Sequence, residues 1–152
     1  MTQTFQKILC PVDFDDNSMA ALEMACKVAT QNDASLCVMH VVAIPAHATE
    51  MPPEALKPYP VWEREAKLKL DHLASERVPC AVRSETLTRS GFPAAQIVAA
   101  AKDSNVDLIV MATHGRSRPA LEHFFLGSVA ERVVRSSVCP VLVVPLFSFS
   151  AG

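Results

Sequence analysis

Short apolar runs alternate with longer segments of helical spacing along the whole chain. Ile8-Leu9-Cys10-Pro11-Val12 is almost continuously apolar, as a strand buried on both faces of a sheet must be, and predicts a central first strand over Lys7 to Val12. Met19, Leu22, Cys26 and Ala29 then fall on one helical stripe, and Asn17 or Ser18 would cap that helix. Ser35 to Ala43 is again apolar and predicts the second strand. Five prolines make Ile44 to Pro60 a loop, before a helix over Val61 to Arg77 that aligns Trp62, Ala66, Leu70 and Leu73. On its exposed faces Glu63 with Lys67 and Glu65 with Lys69 stand at favourable i,i+4 spacing. Cys80 to Thr88 carries Arg83, Ser84, Glu85 and Thr86 and suits a sheet edge. Gly91-Phe92-Pro93 opens a third helix, with Pro93 in its first turn and Ala94, Ile97, Val98 and Ala101 on one face. Asp107 to Thr113 predicts a buried fourth strand, Ser128 to Ser136 a fourth helix, and Pro140 to Leu146 a last strand.

Strands that alternate with helices imply βαβ units, and right-handed crossovers wind them into a five-stranded parallel sheet of order 3-2-1-4-5 with helices on both faces. The fold class is therefore α/β. In such sheets ligands bind where the winding reverses, outside the carboxyl ends of the strands. That places the expected site after Val12 and after Ala112.

A length of 152 residues fits one domain, and fourteen Lys plus Arg against sixteen Asp plus Glu gives a near-balanced soluble composition. No dense basic run marks the chain for nucleic acid or anionic lipid, and both are set aside as partners. Met1 to Gln6 is polar, without the apolar core of a signal peptide, so a cytoplasmic location is expected. The five cysteines are scattered without a C-x-x-C pair, which suggests buried thiols rather than a disulfide framework or zinc site.

Chemistry concentrates at the two predicted strand ends. After strand four the chain reads Ala112-Thr113-His114-Gly115-Arg116-Ser117-Arg118 and later Gly127-Ser128-Val129-Ala130-Glu131. Glycines let backbone N–H groups approach a phosphate, and a helix start presents unpaired donors with the positive end of its dipole. Arg116 and Arg118 add positive charge. Ser128 with Glu131 also spells an S-x-x-E capping box, which needs no ligand, and both readings stand at this point. Asp13 ends strand one where it can accept from a ribose or base, or serve as a turn residue. Asp15 and Asp16 suit helix capping better than a hard metal ion. His114 lies beside Gly115 with no carboxylate or nucleophile at local spacing, and neither a Walker nor a G-x-G-x-x-G fingerprint occurs. No catalytic residue is predicted.

With Pro11-Val12-Asp13, the segment D-L-I-V-M-A-T-H-G and the run G-S-V-A-E-R-V-V-R-S-S-V-C-P-V-L-V-V-P, the sequence resembles the universal stress protein family. The resemblance spans residues 1–147, leaving 148–152 as a tail, and implies a Rossmann-like fold of the adenine nucleotide alpha hydrolase type. ATP-binding members carry G-x2-G-x9-G-[ST]. Here Ala112 stands at the first glycine, Gly115 at the second and Gly127-Ser128 at the last pair, with two more residues in the intervening stretch 116–126 than that pattern has. The resemblance implies an ATP site, with or without Mg2+, formed by Pro11, Val12, Asp13, Val41, Ala112, Thr113, His114, Gly115, Arg116, Gly127, Ser128 and Val129. Asp13 would contact the nucleoside, and Val41 would hold the base through its backbone. It also implies a homodimer through the last strand, whose apolar Val141 to Val144 a monomer would leave exposed.

These readings make the chain an ATP-binding regulatory protein of the stress response. A dimeric interaction module indifferent to ATP is the alternative. A phosphate-transferring enzyme finds no evident base, nucleophile or metal cluster in the sequence.

Overall fold

The computed structural model describes residues 4–44, 50, 59–113 and 126–146. In chain order the elements are β1 (Lys7–Pro11), α1 (Asp16–Asn32), β2 (Ser35–Ala43), α2 (Tyr59–Arg77), β3 (Ser84–Gly91), α3 (Pro93–Asp103), β4 (Leu108–Ala112), α4 (Ser128–Ser136) and β5 (Val141–Val144). All strand pairings are parallel, and the sheet order is β3-β2-β1-β4-β5, as the alternation of elements predicts.

Side chains that alternate along each central strand feed two separate cores. Ile8 and Cys10, Leu36 and Val38, and Leu108 and Val110 pack with Ala21, Leu22, Ala25 and Ala29 of α1 and Leu70 of α2. Leu9, Cys37 and Met39, Ile109 and Met111 face the other way, onto Ile97, Ala100 and Ala101 of α3 and Ala130 and Val133 of α4. Burial on both faces is why these three strands read as unbroken apolar runs.

Several boundaries differ from the sequence expectation for identifiable reasons. Helix α1 starts earlier than a cap at Asn17 or Ser18 allows: Asp15 is the N-cap and accepts from the Ser18 N–H at 2.9 Å. Ser18 is thereby drawn into the first turn and buried. Helix α2 includes Tyr59 and Pro60, since proline is tolerated in a first turn where its missing N–H has no partner to lose. Of the predicted loop, 45–49 and 51–58 lie outside the described residues. Strand β3 begins at Ser84 instead of Cys80 and runs through Gly91, because Pro79 to Val82 form a turn closed by the Val82 N–H on the Pro79 carbonyl at 3.0 Å. Its edge position agrees with its polarity. A polar seam ties it to α2: Lys67 bonds Thr86 and pairs with Asp71 at 3.0 Å, while Ser90 donates to Glu63. Thus Lys67 turns toward Asp71 in place of the expected Glu63 partner. Strands β4 and β5 are shorter at both ends than the apolar runs that predict them.

Candidate functional site

A cleft of about 330 Å³ opens at the carboxyl ends of β1, β2 and β4, where the winding reverses. Of the residues singled out in the sequence, Pro11, Val12, Asp13, Val41, Ala112, Thr113, Gly127, Ser128 and Val129 all line it. His114, Gly115 and Arg116 lie outside the described residues, as does Arg118. Ser18, His40, Ala43, Pro93, Ile97, Met111 and Ala130 complete the lining and were not anticipated from the sequence.

The cleft has an apolar floor and a polar mouth. Val41, Ile97, Met111 and Ala130 come from the core of the α3/α4 face, whereas Asp13, Ser18, Thr113 and Ser128 carry the polar groups. Such a volume with a few convergent polar groups matches small-molecule sites, which start at about 300 Å³.

Two helix starts approach this mouth, and they differ in charge. At α1 the Asp15 carboxylate caps and Asp16 adds a second negative charge in the first turn, so this positive dipole end is already answered. At α4 the N-cap is Gly127, with no side-chain cap hydrogen bond. The Ser128/Glu131 capping box does not form: Ser128 is the first helical residue, one place too late. Glu131 sends its N–H to the Gly127 carbonyl at 2.9 Å and its carboxylate to Arg135 at 2.8 Å. Among the described residues no acceptor meets the N–H groups of Ser128, Val129 or Ala130. A helix start left open in this way, beside a cleft, suits an anion.

Gly127 sits at φ -61 and ψ 158, which any L residue adopts. Its glycine is therefore not demanded by backbone strain. Gly127 lines the cleft without a side chain of its own. The Gly127 N–H donates to the Thr113 carbonyl at 2.7 Å, and the Thr113 N–H donates to Val144 at 3.2 Å, so the ends of β4 and β5 hold the α4 start in place.

On the opposite wall the β1–α1 turn presents Asp13. Its N–H donates to the buried Ser18 hydroxyl at 2.7 Å. His40 Nδ1 lies 2.8 Å from the Val12 carbonyl, and because a carbonyl only accepts, this nitrogen carries the proton. Phe14 has φ 59, rare for a bulky residue, and its ring centroid is 4.5 Å from that of His40. His40 was hidden in the sequence by the apolar run around it. Its one signal was a polar side chain inside a buried strand next to the end of strand one.

Among the described residues no group of three or more His, Cys, Asp or Glu side chains converges as a metal site. Asp15 caps α1 through Oδ1. No helix among them is long and apolar enough to cross a membrane.

The universal stress protein family model matches residues 4–145. A universal stress protein of Methanocaldococcus jannaschii is 37% identical over 147 residues, covering 92% of this chain and 82% of the relative. One from Bacillus subtilis is 30% identical over 154 residues, covering 92% of this chain and 99% of the relative. The solved structure of a second Methanocaldococcus jannaschii protein superposes with a TM-score of 0.79 at 29% identity, covering 96% of this chain and 99% of that one. Matched in sequence over nearly all its length and in the order of its sheet, the chain belongs to the universal stress protein family.

Proposed function

We propose that this protein binds ATP in the cleft between the β1–α1 turn and the α4 start and acts as a cytoplasmic, homodimeric regulatory protein without a catalytic role. The observation that carries the reading is the uncapped α4 N-terminus, whose first-turn N–H groups lack acceptors among the described residues and border the same cleft as Asp13 and Val41. Phosphates belong at Gly127, Ser128 and Val129, where backbone donors and the helix dipole meet negative charge. The nucleoside then extends over the apolar floor toward Asp13, which can accept from ribose hydroxyls, and toward the backbone of Val41. His114, Gly115 and Arg116 complete the proposed set. Any Mg2+ arrives on the triphosphate, since the described residues offer no ligand cluster of their own.

A regulatory role is the reading we favour over a catalytic one. His40 has its Nδ1 proton committed to a carbonyl, and no nucleophile stands paired with a base among the described residues. Binding can still change the protein by favouring the conformation that holds the nucleotide. The dimer reading rests on β5, which among the described residues pairs only with β4 and exposes Leu142.

The test is direct. Ligand released from the purified protein is identified by mass spectrometry, and titration calorimetry follows ATP, GTP and adenosine binding to the ligand-free protein. ATP binding with a rise in melting temperature is expected. A protein that releases no nucleotide and shows no heat or thermal shift with ATP leaves the alternative, a dimeric interaction module indifferent to nucleotide.

A further inference from the structure

The peptide unit that joins Val12 to Asp13 is held at both ends. Its carbonyl oxygen accepts from His40 Nδ1 at 2.8 Å, and its N–H donates to Ser18 Oγ at 2.7 Å. One partner is local, Ser18 at the start of α1, and the other, His40, reaches across from β2, so the plane of this peptide is fixed from two sides. The next residue, Phe14, takes the left-handed conformation that a bulky side chain disfavours. Its ring is held by His40 at 4.5 Å and by Lys69 Nζ, 4.5 Å from the ring centroid. His40 therefore acts twice on one turn, through a hydrogen bond to the residue before Asp13 and through a ring contact to the residue after it.

We propose that His40 is the positioning residue for Asp13: by locking the Val12–Asp13 peptide and packing on Phe14, it sets the direction from which the Asp13 side chain meets the nucleoside. The inference rests on the reading of this cleft as a nucleotide site and names the residue that governs its nucleoside half. Phosphate binding at the α4 start lies on the opposite wall and does not depend on it. A residue that acts through Asp13 must lose its influence when Asp13 loses its carboxylate, whereas a general structural role would persist.

Two substitutions separate the two contacts. His40→Phe keeps a ring for Phe14 but removes the donor to the Val12 carbonyl. His40→Asn keeps a donor close to the Nδ1 position and removes the ring. Affinities for ATP, adenosine and inorganic tripolyphosphate are measured by calorimetry, alongside the exchange rate of the Asp13 amide by NMR. His40→Phe is expected to weaken ATP and adenosine binding about tenfold, the scale of one lost hydrogen bond that leaves its acceptor unpaired. Tripolyphosphate binding stays unchanged, and His40→Asn recovers most of the loss. In an Asp13→Ala background the effect of His40→Phe on ATP falls to about twofold or less. Equal ATP affinity in wild type and His40→Phe, or the same loss with and without the Asp13 carboxylate, overturns the proposal. If the wild type binds neither ATP nor adenosine, the nucleotide reading fails separately and the amide decides. Faster Asp13 exchange in His40→Phe than in wild type keeps His40 as the lock on this turn, and unchanged exchange removes it.

Discussion

The backbone of Gly127 donates to the carbonyl of Thr113 at 2.7 Å, joining the residue after β4 directly to the residue that caps α4. This bond keeps the start of α4 at the end of β4, where it borders the cleft. The two added residues lie between anchors that β4, β5 and α4 hold independently. The start of α4 is thus fixed by the ends of β4 and β5.

Gly127→Val tests the helix-start half. At φ -61 valine fits the backbone, so the ligand-free protein should lose only about 1 kcal/mol or less in urea unfolding, in line with a poor N-cap residue. The side chain would occupy a wall of the cleft, and the ATP-induced rise in melting temperature should vanish. A variant that keeps the full thermal shift places the phosphates elsewhere.

Gly91 ends β3 at φ 141, a conformation that L residues seldom adopt. A Cβ there would also meet the amide of Gln96 at 2.9 Å, but that is the far end of a flexible side chain and can move. The backbone dominates. Gly91→Ala should cost about 1–2 kcal/mol in chemical denaturation, and Gln96→Ala in the same background should restore little of it.

Asp15 fastens the start of α1 by accepting from the Ser18 N–H, and its negative charge favours the positive end of the helix dipole. Asp15→Ala should destabilise the fold by about 1 kcal/mol, and Asp15→Asn by less, since asparagine caps nearly as well. Thermal and urea melts of the three proteins decide the order. Equal losses for both variants would mean that charge, not capping, carries the contribution.

The thiols give a pH prediction with a definite sign. Burial, helped by Glu85, pushes Cys37 from its ordinary 9.0 up to about 11. Burial likewise raises Cys10, well beyond the usual thiol range, and Cys26, the latter helped by Glu23. Below pH 9 these thiols keep their protons whether the chain is folded or unfolded, and the contribution is fully present. Above it the unfolded chain releases protons that the folded one retains, so stability falls as pH rises from 9 toward 11. Urea unfolding across that range should show the decline, with a shallower slope in Cys37→Ala. At pH 8 the exposed Cys80 should react fastest with a thiol reagent, and the three buried cysteines only after unfolding.

Much of the architecture is legible in the residues because β1, β2 and β4 are buried on both faces, and that burial writes itself as continuous apolar runs. The edge strand is less legible. Thr86 and Ser90 meet α2 through Lys67 and Glu63, contacts between segments that no local pattern records. At the start of α1, Asp15, Asp16, Asn17 and Ser18 can all cap, and the choice is made by Ser18 turning inward to hold Asp13. The Ser128/Glu131 spacing satisfies a capping box in sequence, yet the bond from Gly127 to Thr113 sets the helix register one residue away from it. His40 shows the same limit: its partners Val12 and Phe14 are near in space and distant along the chain.

Strand β5 offers the dimer reading its test. Leu142→Lys puts a charge on the open edge, where it should shift the protein from dimer to monomer in sedimentation velocity while leaving the fold intact. An unchanged dimer would move the interface to another face.

The two borders of the sheet are chemically unlike, one polar at β3 and braced by α2, the other apolar at β5. On the dimer reading, β5 is the border that joins two copies. Under that reading a twofold axis through β5 would bury this border on both copies and leave the polar β3 borders facing outward. The same reading predicts a pair that does not extend into filaments, the hazard of any molecule with an open sheet at each side.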